Sequence, residues 1–209
     1  MDKKGNIRFL KLSILVFTFV FFNMLYGASS ENITSTYTAL EGKECKVPGG
    51  KFKKMFEGDE YVDEGGEECP GFKSWRVFVR GFDSRSWVEL YDGSQFWSTE
   101  NLIFDVNVLE NGVFPNVSGT KAEWRYTDSG KVKALIYRMS ALSDAINGKS
   151  FSRLFVIKFT EKGEPKFCGI AKTNEEARTL ASDEKKCTKS LKLIKMKTVG
   201  NYFERVEEY

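Results

Sequence analysis

The sequence contains no histidine among its 209 residues. Histidine is the usual general base beside a serine or cysteine nucleophile, and it is the commonest protein ligand of metal ions. Its absence therefore excludes most familiar hydrolase mechanisms. The chain also lacks a Cys-x-x-Cys spacing, so its cysteines do not follow the pattern of a zinc site. We predict no catalytic residue, no metal site and no cofactor.

Two further motifs are incomplete. Ser182 and Lys185 match the Ser-x-x-Lys pattern of penicillin-binding enzymes, but Val199 interrupts the only candidate for the Lys-Thr-Gly partner. The acidic stretch EGDEYVDEGGEE at residues 57–68 lacks the alternating Asp or Asn residues and the sixth-position glycine of an EF-hand. We interpret this stretch as a solvated acidic loop.

Carboxylates are the one remaining source of catalysis. A glycosidase uses a pair of them on either side of the scissile bond. The candidates are the acidic residues of 57–68 together with Asp83, Glu89 and Glu123. A small carboxylate-based hydrolase of the cell envelope therefore stays as the alternative function.

Residues 1–29 have the pattern of a secretory signal peptide. Basic residues precede an apolar run of about 15 residues from Leu12 to Tyr26, and small residues follow at 27–30. We expect cleavage after Ser29. An uncleaved anchor is the alternative, although a membrane-spanning helix needs about 20 apolar residues.

Removal of this segment makes the chain electrically neutral. Four of the 32 Lys and Arg residues and one of the 29 Asp and Glu residues lie in it, which leaves 28 of each. The pI of about 8.5 therefore describes the precursor and does not indicate nucleic-acid binding. We expect membrane contact only through the signal segment.

The four cysteines, Cys45, Cys69, Cys168 and Cys187, are expected to form two disulfides, because an exported chain meets an oxidising compartment. Of the three possible connectivities we choose Cys45–Cys69 and Cys168–Cys187, since each pair encloses one short segment. This interpretation makes Cys69 structural and places the protein in the periplasm or outside the cell.

The middle of the chain has the period of β-strands. In WRVFVR, residues 75–80, Trp75, Val77 and Val79 alternate with arginine and phenylalanine, which predicts one buried face. Similar segments recur up to residue 171, and short turns between them favour antiparallel neighbours. One helix is indicated where Thr173 and Glu176 form a capping box and Ala177 begins a shallow apolar stripe.

We therefore predict an α+β fold: a curved antiparallel sheet of about six or seven strands, with one C-terminal helix packed on it and two disulfides. The expected domain organisation is a disordered mature N-terminus at 30–36, a single domain at 37–188 and a charged tail at 189–209. The tail is predicted to lie on the surface, outside the core.

LEGKECK, ECPGFKSWRVFV, AEWRY, CGIA and NEEARTLA, followed by Cys187, occur in an order that resembles a family of small exported bacterial proteins. The resemblance covers roughly residues 37–187. It implies the layout of four cysteines and one helix, and it implies no catalytic residue and no assigned activity.

The candidate binding residues are four arginines on predicted strands: Arg76, Arg80, Arg85 and Arg125. Together they could form a basic patch for an anionic ligand, because guanidinium groups bind carboxylates and phosphates well. Around Arg125, we expect Trp124 to lie in the core, with Glu123 and Arg125 as a surface pair on the opposite face.

The leading functional prediction is an exported, non-catalytic binding or inhibitory module whose partner is a protein or an anionic ligand of the cell envelope. A third possibility is that the partner is another copy of the chain. The shape of the surface distinguishes the first two, because an enzyme should have one deep cleft with at least two carboxylates. The sequence leaves the oligomeric state open.

Overall fold

A computed structural model describes residues 31–57 and 64–206. The larger of its sheets has seven antiparallel strands in the order β1-β7-β8-β9-β10-β11, with β6 paired to β8. Numbered along the chain, these strands are β1 (Ile33–Ala39), β6 (Val113–Val117), β7 (Lys121–Thr127), β8 (Val132–Leu142), β9 (Ser150–Phe159), β10 (Pro165–Ala171) and β11 (Lys189–Ser190).

A second sheet has five antiparallel strands in the order β12-β5-β4-β3-β2, and a third is a single hairpin. The five strands are β2 (Glu64–Phe72), β3 (Trp75–Phe82), β4 (Arg85–Tyr91), β5 (Phe96–Ser98) and β12 (Lys192–Ile194). The hairpin joins β13 (Met196–Val199) to β14 (Tyr202–Arg205). The antiparallel architecture is confirmed, but the strands divide among three sheets where we expected one.

The helices are few and short. They are α1 (Glu100–Ile103), α2 (Asn174–Ser182) and the 3₁₀ helices Gly42–Glu44, Gly50–Met55 and Glu184–Lys186. The capping box of α2 is present: the Thr173 hydroxyl accepts a hydrogen bond from the Glu176 amide, and the Glu176 carboxylate accepts one from the Thr173 amide. A single C-terminal helix is not confirmed, and the curvature of the sheet stays a prediction.

The main core lies between the two large sheets. Val77 and Leu90 of the smaller sheet and Trp124, Leu135 and Ile157 of the larger sheet are all fully buried there. Trp124 is therefore a core residue, as predicted. Its neighbour Glu123 is only 5% exposed. The prediction that Glu123 and Arg125 both lie on the surface is therefore wrong for Glu123.

Two further layers cover the outer faces of the sheets. On the larger sheet, Ala177 and Ala181 of α2 pack against Ile136 and Val156. This packing face is small because alanines form it.

On the smaller sheet, the helix Gly50–Met55 and the β13–β14 hairpin cover the outer face. They place Phe52 and Phe203 against Phe78 and Tyr91. Phe78 is fully buried and Arg80 is 8% exposed, so β3 is buried on both faces and not only on the one that the alternation predicts.

Both ends of the described chain are more ordered than we expected. Residues 33–36, assigned above to a disordered start, belong to β1 and pair with β7. The charged tail contributes β11 to the larger sheet and β12 to the smaller one, and it buries Leu191 and Ile194. Lys192 of β12 is exposed, whereas Lys189 of β11 is half-buried and forms an ion pair with Asp105. From Ile33 onward, the described residues form one compact unit.

Four predictions fall wholly or partly outside the described residues. They concern the signal peptide at 1–29, residue 30 of the expected mature N-terminus, residues 58–63 of the acidic stretch and residues 207–209 of the expected tail. Among the helices that the structure does describe, none is long and apolar enough to cross a membrane.

Candidate functional site

Both pairs of cysteines are bonded as the sequence analysis chose. Cys45 joins Cys69 of β2, and Cys168 of β10 joins Cys187 beyond α2. Cys45, Glu67 and Cys69 lie close enough together to suggest a metal site. The two sulfurs are bonded to each other, however, so neither is a thiolate that could bind a metal ion.

The first two candidate arginines lie on β3 and are held by the neighbouring strand β2 and by the layer that covers the sheet. The Arg76 Nε donates to the Glu68 carboxylate at 2.7 Å, and its guanidinium lies 4.1 Å from the centre of the Phe52 ring. The Arg80 guanidinium donates to the Met55 carbonyl at 2.7 Å. Burial, followed by repulsion from Arg205, lowers the pKa of Arg80 to about 10.

The other two arginines lie apart from these. Arg85, at the start of β4, pairs with Asp83 in the preceding turn. Arg125 lies on β7 of the other sheet, where its guanidinium is 3.5 Å from the Glu123 carboxylate. The four arginines thus have separate partners on two sheets, and they do not form the open basic patch that we expected.

Glu123 is the centre of a different polar cluster. The β1–β7 register sets Tyr37 beside Glu123 and Ser35 beside Arg125, all on the outer face of the larger sheet. The Ser35 hydroxyl donates to the Glu123 carboxylate at 2.6 Å. From α2, the Arg178 guanidinium binds both carboxylate oxygens, through Nε at 2.9 Å and an NH2 group at 3.2 Å.

This cluster keeps Glu123 ionised. Burial alone would raise the pKa of Glu123, but hydrogen bonds from Arg178 and Ser35 and the charges of Arg178 and Arg125 outweigh it, so the pKa lies below its ordinary value. The same ion pair raises the pKa of Arg178, and Arg178 also donates to the Tyr37 hydroxyl at 3.1 Å. A carboxylate held in this way does not serve as a general acid at neutral pH.

Two surface grooves flank the ion pair, along what we call the α2–β7 seam. One groove, of about 560 Å³, is lined by Arg125, Glu175, Arg178, Thr179 and Ser182. The other, of about 410 Å³, has a lining that includes Tyr37, Lys121, Glu123, Arg138 and Asn174. Because Glu123 lines one groove and its partner Arg178 lines the other, the ion pair stands between them.

The charged groups of the seam are mainly cations. The linings of the two grooves contain four, Arg125, Arg178, Lys121 and Arg138, against two carboxylates, Glu123 and Glu175. Hydroxyl and amide groups of Asn174, Thr179 and Ser182 of α2 and the hydroxyl of Tyr37 of β1 add hydrogen-bond donors. Each groove has only one carboxylate, so neither contains the pair that glycoside hydrolysis requires.

A second buried carboxylate, Glu89, lies under the C-terminal hairpin. It is fully buried and accepts hydrogen bonds from the Trp87 indole at 3.0 Å and the Ser98 hydroxyl at 3.2 Å. It also forms an ion pair with Arg205 of β14. Glu89 is therefore enclosed by protein groups and has no open side for a substrate.

Sequence reasoning missed Arg178 and Arg205 as partners of these carboxylates. Arg178 lies next to the apolar stripe of α2, a position from which a long side chain reaches the underlying sheet, so the helix pattern contains a weak signal for it. Arg205 lies in a charged tail, and nothing local distinguishes it. Both pairs join residues more than 50 positions apart in the chain.

The described residues thus form a disulfide-containing protein of packed antiparallel sheets, with a polar seam of net positive charge between one helix and one sheet. No protein-family model, no curated protein and no solved structure matches the chain.

Proposed function

We propose that this chain is an exported binding module without catalytic activity, and that it binds an anionic partner of the cell envelope at the α2–β7 seam. The observation that carries the proposal is the composition of the two grooves, with four cationic side chains and two carboxylates. Cations in a shallow groove attract anionic ligands and supply charge-assisted hydrogen bonds.

The disulfides support the proposed location of the module outside the cytoplasm. Two disulfides, with no free cysteine among the described residues, are typical of proteins of oxidising compartments. The pattern at residues 1–29 and the resemblance to small exported bacterial proteins favour the periplasm or the medium. A mass measured on protein from the envelope fraction tests this: it should lack residues 1–29, and alkylation should require prior reduction.

The pairing of the candidate carboxylates supports binding over hydrolysis. The carboxylates at 83, 89 and 123 are each held by an arginine: Asp83 by Arg85, Glu89 by Arg205 and Glu123 by Arg178. These carboxylates are therefore already engaged in ion pairs within the protein. A preorganised surface of this kind loses little conformational entropy on binding.

Binding can be tested with a fluorescent hexaglutamate peptide and with an acidic oligosaccharide, each followed by anisotropy. The double variant Lys121→Ala/Arg125→Ala removes one cation from each groove. We expect at least a tenfold loss of affinity, because one charge-assisted hydrogen bond is worth about 1.5–3 kcal/mol and each 1.4 kcal/mol is about tenfold.

The matched control is Lys53→Ala/Lys197→Ala, which removes two exposed lysines that pair with Glu57 and Glu204 away from the seam. The control should bind as the wild type does. Equal losses in both double variants would show nonspecific charge attraction and would contradict the proposal. Release of sugar reducing ends that Glu123→Gln abolishes would instead establish the hydrolase.

A further inference from the structure

One edge of the larger sheet is open. Strand β1 pairs with β7 along its whole length, from Ile33 opposite Thr127 to Ala39 opposite Lys121. Within residues 31–57 and 64–206, no strand pairs with the other side of β1, which is the end of the sheet. Tyr37 is 53% exposed and Ile33 is 38% exposed. Strand β2 of the smaller sheet lies near β1 but does not pair with it, so no described strand forms a ladder with the backbone groups along this side.

The other ends of the two larger sheets, at β11, β12 and β2, are protected against such pairing. Strand β11 has two residues and β12 has three, which is too short for a stable ladder. Strand β2 contains Glu64, Glu67 and Glu68, has an irregular register near Cys69 and forms a bridge to Lys46. Short length, charge and irregularity are the usual means by which proteins prevent edge pairing.

Strand β1 has none of these protections. Its seven residues, ITSTYTA, include no charge, no proline and no glycine, and five of them are β-branched or aromatic. Its pairing with β7 has no bulge. Residues of these types favour strands, so the free side of β1 is a regular template of seven residues.

We propose that β1 pairs in antiparallel fashion with β1 of a second copy, which joins the two larger sheets across a two-fold axis. An axis at Thr36 sets Ser35 opposite Tyr37 and Thr34 opposite Thr38 of the other copy. No like charges meet, and Thr–Thr pairs across strands are favourable. Two-fold pairing satisfies both open edges at once and leaves none for further growth.

The absence of charged residues on β1 favours a second copy of the chain as the partner of its open edge. The nearest charged strand, β7, would lie three strand spacings, or about 14 Å, from its counterpart, which exceeds the Debye length of about 8 Å at physiological salt. The same operation on β2 would set glutamates opposite glutamates. Electrostatic repulsion therefore opposes pairing of β2 with its own copy and does not oppose pairing of β1 with its own copy. This inference does not depend on the proposed ligand of the α2–β7 seam.

The test combines sedimentation equilibrium with hydrogen exchange of the β1 amides. We expect a reversible dimer, with protection of residues 33–39 that increases with protein concentration. Thr34→Lys places a charge on an exposed position of the strand and should weaken dimerisation at least tenfold. Thr34→Val is the matched control, because it keeps a β-branched side chain without charge, and it should dimerise as the wild type does.

Exchange in the core strands β8 and β9 reports whether each variant is folded. A protein that stays monomeric up to about 1 mM, a concentration that detects even weak association, would overturn the proposal. A dimer that Thr34→Lys leaves intact would place the interface elsewhere and would also overturn it. Protection of β1 in a monomer by an added uncharged peptide would show that the edge binds another protein.

Discussion

Arg205→Met should destabilise the protein strongly, although the residue lies close to the end of the chain. Its partner Glu89 is fully buried and is held by Trp87, Ser98 and Arg205. Without Arg205, the buried carboxylate keeps two neutral donors and loses its direct ion pair. Methionine preserves much of the apolar volume beside Phe56, so the substitution tests charge more than packing.

The expected cost follows from the surroundings of Glu89. Removal of one partner from a buried ion pair typically costs about 3–5 kcal/mol. Arg80 is close enough to Glu89 to be stabilised by its charge, and loss of Arg205 would also relieve the repulsion that Arg80 now experiences. Arg80 therefore compensates in part, and we expect the lower value, about 3 kcal/mol.

A double substitution separates charge from other effects. Glu89→Gln/Arg205→Met removes both charges, and the glutamine side chain can still accept a hydrogen bond from Trp87. The Nε of Arg205 is buried without a hydrogen-bond partner among the described residues, so the native pair is itself imperfectly satisfied. We expect the double variant to lie within about 1 kcal/mol of the wild type, since neutral replacements of buried pairs are often tolerated.

Urea unfolding followed by tryptophan fluorescence measures these differences, and Trp87 reports directly on the site. The matched control is Lys197→Met, which removes an exposed ion pair with Glu204 from the same hairpin. Exposed pairs contribute about 0–1 kcal/mol, so this variant should be nearly neutral. Equal costs for Arg205→Met and Lys197→Met would refute the reasoning.

Three further predictions concern the larger sheet. Because the pKa of Glu123 is lowered in the folded protein, its ion pair should stabilise the fold above pH 4.5 and lose that contribution as the pH falls through the lower pKa of the folded state. Glu123→Gln should therefore flatten this part of a plot of unfolding free energy against pH. An unchanged slope would contradict the prediction. Cys168→Ala/Cys187→Ala opens a loop with a sequence separation of 19 and should cost about 3 kcal/mol in urea unfolding, whereas a cost near zero would show that the unfolded chain is not constrained by the bond. Thr173→Ala should lower the free energy of unfolding by about 1 kcal/mol in the same assay, because the helix loses its cap. Thr173→Ser keeps a capping hydroxyl and should retain most of that stability.

Local patterns explain which parts of the fold could be predicted. The alternation at Trp75–Arg80 identified a strand, and the capping box at Thr173 identified the start of α2, because neighbouring residues alone determine these features. The cysteine pairing was also predictable, since each bond closes a short loop. The assignment of strands to sheets was not, because alternation shows that a strand has a buried face and does not show what covers it.

The arginines illustrate the same limit at the candidate site. Arg76 and Arg80 lie on a strand face that looks solvated in the sequence, yet the helix Gly50–Met55 and the β13–β14 hairpin cover it. Arg178 was not predicted as a site residue, although its hydrogen bond to Glu123 is the largest contribution that lowers the pKa of that carboxyl against the effect of burial. Its role depends on how α2 lies across β8, β9 and β10, because that placement lets the Arg178 side chain reach Glu123 of β7. No local pattern specifies this placement.

The sequence by itself determined the absence of histidine chemistry, the cysteine pairs, the strand-rich composition and the capped helix, because these depend on residue type and on short spacings. Only the tertiary structure decided that Glu89 and Glu123 are enclosed by arginines, that the lysine-rich tail forms strands and that β1 has an open edge. Each of these depends on contacts between residues far apart in the chain, which form when the sheets and their covering layers bury apolar surface together.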